Sequence, residues 1–149
     1  MEKGDRIEGF YKTDLLILNP PARKFKGVND NSLVIKLVYG DFSILFCADI
    51  EDEAAGRLLS TERQNLPSDV IKAPHHGSSL GEATGDFLES VSAGIAVISS
   101  GGDTVSRDIL QEFNRLGARV YRTDRDGAVI LSNEKDKYRV SVFTTHPQP

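Results

Sequence analysis

The fold of this chain is decided by the stretch L-V-I-K-L-V-Y-G-D-F-S-I-L-F-C, which occupies residues 33–47. Residues 33–39 and 42–47 are rich in β-branched and aromatic side chains, and the pair Gly40-Asp41 separates them. A two-residue Gly/Asp break between two such segments is typical of a β-hairpin turn. The stretch therefore predicts two antiparallel strands joined by a tight turn.

Directly after the hairpin, the apolar residues change to helical spacing. The residues that recur at this spacing are Ala54, Ala55, Leu58 and Leu59. They follow the acidic residues 51–53, and acidic side chains suit the first turn of a helix. We predict a helix over residues 50–60.

The remaining segments alternate between short strands and helices. Strands are predicted at residues 14–18, 70–73, 95–99 and 118–122. Helices are predicted at residues 84–91 and from a cap at Thr104 or Ser106 to a stop at Gly117. A second hairpin is predicted from residues 128–131 and 138–143, and residues 144–149 are expected to fray. This order predicts a single α/β domain over residues 1–149, a mixed sheet with covering helices.

Composition limits the class of protein. The 149 residues are 39% hydrophobic and 27% charged, with a formal net charge of −4 at pH 7. These values exclude disordered, collagen-like and coiled-coil chains, and no apolar stretch approaches the roughly 20 residues of a transmembrane segment. The single cysteine excludes an intrachain disulfide and a thiolate zinc cluster. The mild acidity argues against non-specific nucleic-acid binding over the whole surface.

Chemically capable side chains follow two of the predicted strands. Asp49 comes directly after residues 42–47, and the pair His75-His76 comes directly after residues 70–73. Ligands collect at the edge of an α/β sheet where strands end, and carboxylates and imidazoles suit zinc, manganese or iron. Metals held in this way can generate hydroxide from water and polarise a phosphoryl or acyl oxygen.

Each candidate also has an ordinary structural interpretation. An Asp after a strand is more often a helix N-cap, and Asp49 is suitably placed to cap the following helix. The pair His75-His76 can equally be a loop pair, and His146 in the Pro-containing tail has no indicated role. Cys47 ends an apolar strand, so we expect a small buried side chain rather than a nucleophile.

Five segments of the chain form an ordered set. They are N-D-N-S-L-V (29–34), Y-G-D-F-S (39–43), A-D-I-E (48–51), P-H-H-G-S (74–78) and Y-R-T-D-R-D-G-A (121–128). In this order they resemble the C-terminal part of the metallo-β-lactamase-like domain of ComEC-type competence proteins. The resemblance implies half of a four-layer αββα sandwich and metal-dependent hydrolysis of phosphodiesters such as DNA.

The resemblance also implies roles for individual residues. Asp49 matches the Asp that bridges two metals, zinc or manganese, and His75 or His76 matches the final metal ligand. We favour His76, as a catalytic residue together with Asp49, because small residues follow it as in the motif. Asn29 or Asp30 lies where related enzymes carry a further ligand, which implies a weak outer partner.

The chain departs from the family pattern in three places. It contains no H-x-H-x-D-H motif, which supplies most of the family's metal ligands, and residues 102–107 lack the histidine that relatives often carry there. Ala48 stands where the family usually has Gly. At most two or three ligands remain, and a catalytic zinc usually has three plus water. We therefore expect weak metal binding and slow or absent hydrolysis by the chain alone.

Two interpretations remain open. In the first, the chain is half of a phosphodiesterase that an upstream half completes. Ser78 then helps to hold a phosphate, and Lys72, Arg122 and Arg125 attract nucleic acid. These three basic residues can equally form a solvated face. In the second, it is a degenerate, non-catalytic assembly or binding module. Both predict pairing with the missing half or self-association as an oligomer, because half a sandwich leaves a sheet face uncovered. Relatives lie beside a membrane channel or free in solution, so the location is cytoplasmic if the chain is free-standing and extracytoplasmic if it belongs to a membrane competence protein.

Overall fold

A computed structural model describes residues 1, 3–10, 12–102, 104–134 and 137–143. His146 and the predicted frayed tail lie outside the described residues.

The described residues form a seven-stranded sheet and a separate two-stranded sheet. The strands of the large sheet are β1 (Arg6–Phe10), β2 (Thr13–Asn19), β3 (Val34–Tyr39), β4 (Phe42–Phe46), β5 (Val70–Lys72), β6 (Ile95–Ile98) and β7 (Arg119–Arg122). Their spatial order is their order in the chain. Neighbours are antiparallel from β1 to β4 and parallel from β4 to β7. The predicted hairpin of residues 33–47 is the β3–β4 pair, and the expectation of a mixed sheet is confirmed.

Four helices accompany this sheet in the described part of the chain. They are α1 (Asp52–Thr61), α2 (Thr84–Val91), α3 (Arg107–Arg115) and the single turn α4 (Thr123–Asp126). The first three share one core cluster with the sheet, in which their apolar faces meet alternate strand residues. Leu45, Ile71 and Ala96 are register partners on neighbouring strands, and all three are fully buried in this cluster. The α/β architecture of sheet and covering helices is therefore as predicted.

The other face of the sheet is covered differently. Phe46 and Lys72 are register partners that point away from Leu45 and Ile71, and Phe46 is 39% exposed. The two-stranded sheet, formed by β8 (Ala128–Glu134) and β9 (Lys137–Phe143), is the second predicted hairpin. Its Tyr138 ring lies 4.7 Å from the ring of Phe42, between centroids, and this contact attaches the hairpin to the large sheet.

Two details refine the predicted elements. Of the two candidate caps of α3, Ser106 takes the position: its hydroxyl oxygen accepts a hydrogen bond from the Asp108 amide at 3.2 Å. Gly117 follows the helix with a φ of +73°, a left-handed conformation that suits glycine at a helix end. The strand β1 and the turn α4 are not predicted from the sequence. The pairing of β1 with β2 is irregular, and its register shifts between Ile7 and Phe10.

Candidate metal centre

The loops that follow β4 and β5 meet at the carboxyl edge of the sheet. The amide of His75 donates to the carbonyl oxygen of Ala48 at 2.9 Å, which joins the two loops directly. On the far side, the amide of Ala73 donates to the carbonyl oxygen of Val97 at 2.9 Å and connects this edge to β6. The predicted juxtaposition of residues 48–51 with residues 74–78 is therefore present in the structure.

The backbone at this junction adopts left-handed conformations. Three consecutive residues, His75, His76 and Gly77, have φ values of +39°, +55° and +87°, and Ala48 has a φ of +47°. Only glycine adopts such angles without cost, and other residues lose about 1–3 kcal/mol each. Ala48 therefore occupies a position whose backbone favours glycine.

Gly77 is required for a second reason. A Cβ atom at this position would lie 2.8 Å from Cγ2 of Ile98 and 3.0 Å from Cγ1 of Val105. The carbonyl oxygen of Gly77 accepts a hydrogen bond from the amide of Ser106 at 2.9 Å, at the start of α3. The glycine thus lets the histidine loop pack directly against the β6 and α3 side of the core.

His76 and Asp49 face each other across the junction. The Nδ1 atom of His76 lies 2.9 Å from the carbonyl oxygen of Ser99. Because a carbonyl oxygen can only accept, Nδ1 must carry the proton, and the neutral ring then has its lone pair on Nε2. This Nε2 lies 3.6 Å from Oδ1 of Asp49, with 59% of the histidine side chain and 47% of the aspartate side chain exposed.

This pair has the chemistry of half a metal site. Two ligand atoms of one tetrahedral zinc ion lie about 3.4 Å apart, given metal–ligand distances near 2.1 Å. The 3.6 Å between Asp49 and His76 is close to that value, and the donors are a carboxylate and an imidazole lone pair. Among the described residues, however, no group of three or more His, Cys, Asp or Glu side chains is arranged to hold a metal ion. The residues fit zinc or manganese in kind, and two of them do not complete a site.

His75 points toward a different carboxylate. Its Nδ1 lies 3.3 Å from Oε1 of Glu51, and the side-chain amide of Asn29 donates to the same oxygen at 2.9 Å. Asn29, expected to be an outer partner of the metal, thus contacts Glu51 in the structure. The sequence assigns Glu51 only to an acidic helix turn; its position two residues after Asp49 in A-D-I-E is the one signal that places it near the site.

Asp30 has a structural role. It is 5% exposed, and its Oδ1 accepts hydrogen bonds from the amides of Glu51 at 3.0 Å and Ala54 at 2.9 Å. It therefore caps α1 from a segment 21 residues upstream, the position for which Asp49 is the sequence-based candidate. One oxygen of this carboxylate is thus occupied by the helix, and the outer metal role expected of Asn29 or Asp30 stays a prediction.

The polar groups expected to contact phosphate lie in different environments. Lys72 is half-buried beside Asp49, and its Nζ donates to the carbonyl oxygen of Ala73 at 2.9 Å. Burial lowers the pKa of Lys72, and the negative charge of Asp49 opposes this shift. Ser78 is half-buried, with its amide donating to the carbonyl oxygen of His75 at 2.9 Å.

The two arginines differ from each other. Arg122 is 6% exposed, and its guanidinium forms two hydrogen bonds with the Asp124 carboxylate, through Nε at 3.0 Å and through a terminal nitrogen. These hydrogen bonds lower the pKa of Asp124. Burial and pairing give Arg122 a structural role, and its contact with phosphate stays a prediction. Arg125 in α4 is exposed.

Cys47 is fully buried at the start of the first loop. Desolvation raises the pKa of its thiol to about 12, against a smaller opposite effect of Lys72. A thiol with this pKa is protonated at neutral pH, which agrees with a small buried side chain and not with a nucleophile.

Within the described residues, no helix has the length and apolar character needed to cross a membrane.

Comparison with known proteins gives three relatives, and no protein-family model matches the chain. It is 29% identical over 158 residues to "ComE operon protein 3" of Bacillus subtilis (strain 168), covering 98% of the chain and 20% of that protein. It is 32% identical over 120 residues to "Competence protein ComA" of Neisseria gonorrhoeae, covering 78% of the chain and 17% of that protein. A shorter match, 32% over 72 residues, covers 48% of the chain and 9% of "Uncharacterized protein YcaI" of Escherichia coli (strain K12). The chain spans about a fifth or less of the length of each relative.

Proposed function

Given its similarity to two competence proteins, we propose that this chain is one part of a metal-dependent hydrolase in a ComEC-like competence protein. The proposed substrates are phosphodiesters such as DNA, and the fold is half of a metallo-β-lactamase sandwich. The observation that supports this most strongly is the pair formed by Asp49 and His76, whose facing oxygen and nitrogen lie 3.6 Å apart at the carboxyl edge of the sheet.

Neither Asp49 nor Nε2 of His76 is needed to hold the backbone of this region together. Asp30 caps α1, and the carbonyl oxygen of Ser99 holds Nδ1 of His76. Asp49 is therefore not needed as the helix cap, and Nε2 of His76 keeps its lone pair. An accessible carboxylate and an accessible imidazole lone pair that face each other are what a metal ligand pair requires.

The roles of the individual residues follow from these positions. Asp49 and His76 would hold zinc or manganese, which when bound supplies an activated water and polarises a phosphoryl oxygen. Lys72 places a half-buried ammonium next to Asp49, where it attracts a phosphate oxygen more strongly than an exposed lysine does. Arg125 and Ser78 are the further groups of this chain proposed to contact the phosphate backbone.

The metal site needs ligands from outside this chain. A catalytic zinc usually takes three protein ligands, and the Asp49–His76 pair supplies two. We propose that an upstream half of the same fold, carrying the H-x-H-x-D-H motif, supplies the others. The uncovered part of the sheet around Phe46 and Lys72 lies on the face where a second sheet would pack.

The test is hydrolysis of DNA by the chain alone and by the chain joined to an upstream segment that carries the missing motif. We expect activity with manganese or zinc only in the joined protein, and its loss in Asp49→Ala and in His76→Ala. The matched control is Glu53→Ala, which removes an exposed carboxylate in the first turn of α1 and should leave the activity unchanged.

The second interpretation, a non-catalytic assembly or binding module, is favoured by the lack of a three-ligand group among the described residues. It predicts that the joined protein stays folded but does not hydrolyse DNA with any metal. That result, with a correctly folded joined protein, would contradict the hydrolase proposal.

A further inference from the structure

We propose that Glu51 is a positioning residue of this site: supported by Asn29, it fixes His75 with the proton on Nδ1 and the lone pair on Nε2. The site then presents two imidazole lone pairs, from His75 and His76. What the second lone pair does rests on the proposed function, whereas the tautomer of His75 is a property of this chain alone.

The side chains of His75 and Glu51 are in contact. Nδ1 of His75 lies 3.3 Å from Oε1 of Glu51, with 34% and 46% of the two side chains exposed. A carboxylate can only accept, so a neutral His75 that pairs with it must donate from Nδ1. The lone pair is then on Nε2, as it is in His76, whose Nδ1 forms a shorter contact, a hydrogen bond of 2.9 Å to the carbonyl oxygen of Ser99, whereas His75 and Glu51 lie at an ion-pair separation.

Both partners are also anchored. Oε1 of Glu51 also accepts from the side-chain amide of Asn29 at 2.9 Å, which restricts the carboxylate. The backbone amide of Glu51 is held by Asp30 at 3.0 Å, and the backbone amide of His75 by Ala48 at 2.9 Å. An exposed pair with free side chains gains little from such a contact, but here Asn29 restricts the Glu51 carboxylate and lowers the entropy cost of the pair.

The rings of His75 and His76 are neighbours. Their centroids lie 6.4 Å apart with an interplanar angle of 61°, so the rings do not stack and have different orientations. Carboxylate or carbonyl partners on Nδ1 commonly fix the tautomer of metal-binding histidines, and removing such a partner lowers metal affinity 10- to 100-fold. Glu51 lies beside Nδ1 of His75 in the same way, so its role in metal binding would be to position His75 and not to contact the metal.

The direct test is the tautomer of each histidine ring in the metal-free chain. Long-range 1H–15N spectra at about pH 8, above the usual histidine pKa of about 6.5, distinguish protonated from unprotonated ring nitrogens. The chain has three histidines, so His75→Gln and His76→Gln assign the signals. We expect both rings to carry the proton on Nδ1.

Variants then separate positioning from general packing. Glu51→Ala should move the proton of His75 to Nε2 in a large fraction of molecules without changing His76. Asn29→Ala should act in the same direction but less strongly, and the control Glu53→Ala should change neither ring. A His75 ring protonated on Nε2 in the unaltered chain, or one insensitive to Glu51→Ala, would overturn the inference.

Zinc binding to the joined protein provides the second readout. Glu51→Ala should weaken zinc affinity 10- to 100-fold, and Glu51→Gln should restore part of it, because an amide oxygen still accepts from Nδ1. If Glu51→Gln and Asp49→Ala lose zinc equally, Glu51 is a direct ligand and the positioning role is wrong. If Asp49→Ala has no effect on zinc binding, the proposed function fails, while the tautomer measurement still decides the role of Glu51.

Discussion

Replacing Asp30 by alanine should destabilise the fold far more than the loss of one surface carboxylate. Asp30 is 5% exposed and lies in a segment 21 residues before α1, yet its Oδ1 holds two amides at the start of that helix. Truncation leaves both amides without their acceptor, in a place that water reaches poorly. The helix start then loses the group that holds the backbone of Glu51, two residues from Asp49.

The magnitude follows from the contacts. Loss of an N-cap costs about 0.5–2 kcal/mol, and a buried polar group left unsatisfied costs about 1–3 kcal/mol. The two terms overlap, so we expect a decrease of about 2–4 kcal/mol in the free energy of unfolding for Asp30→Ala. Asp30→Asn keeps an oxygen acceptor and loses the favourable charge at the helix N-terminus, which costs about 1 kcal/mol.

The measurement is urea denaturation followed by circular dichroism, with the midpoint compared at constant m value. Glu53→Ala is the matched control, since it removes an exposed carboxylate from the same helix turn and should change stability by less than about 0.5 kcal/mol. If Asp30→Ala also changes stability by less than about 0.5 kcal/mol, Asp30 does not cap α1, and Asp49 is again a candidate for the cap.

Three further predictions concern the junction and its surroundings. Gly77→Ala should destabilise the fold by about 1–3 kcal/mol, since the φ of Gly77 is +87° and the new Cβ meets core side chains. Gly56→Ala in α1, where a Cβ meets nothing within 4 Å, should instead stabilise the fold by about 0.4–1 kcal/mol. Thermal unfolding measures both changes. Because burial lowers the pKa of Lys72, its folded state loses the proton first, so the Lys72 contribution to stability should rise with pH between the folded pKa and the unfolded value near 10.5. The raised pKa of Cys47 has the opposite effect above its usual value of 9.0, so urea titrations at several pH values compare Cys47→Ala with Cys47→Ala/Lys72→Met, and only the first should show the rise. Cys47, fully buried with a pKa of about 12, should react with a thiol reagent at pH 8 only after unfolding in urea; rapid labelling of the folded chain would contradict its burial.

The elements predicted from sequence are those with strong local signals. The Gly40-Asp41 turn between β-rich segments, and the apolar period of α1, are encoded within a few residues and appear in the structure with bounds shifted by one or two positions. The cap of α3 is local too, since Ser106 lies one residue before the helix. The neighbourhood of Asp49 and His76 is predicted from a general rule, that ligands gather where parallel strands end.

The features that escape the sequence depend on long-range contacts. Asp30 reaches α1 across 21 residues, and Ser99 holds His76 across 23 residues through a backbone carbonyl that any residue type would provide. No spacing rule indicates such partners. The burial of Arg122 is equally hidden, because its pairing with Asp124 depends on the turn that α4 makes after β7.

The order of the strands has a consequence for how the candidate centre is made. Each strand of the large sheet lies beside its predecessor in the chain, so each strand becomes available after the neighbour on which it packs, and none has to be inserted between two others. Asp49 comes first in the chain, His76 follows after β5, and Ser99, which orients the His76 ring, comes only after β6. The facing arrangement of Asp49 and His76 therefore depends on the parallel strands β4 to β6 and not on the antiparallel strands that precede them in the chain.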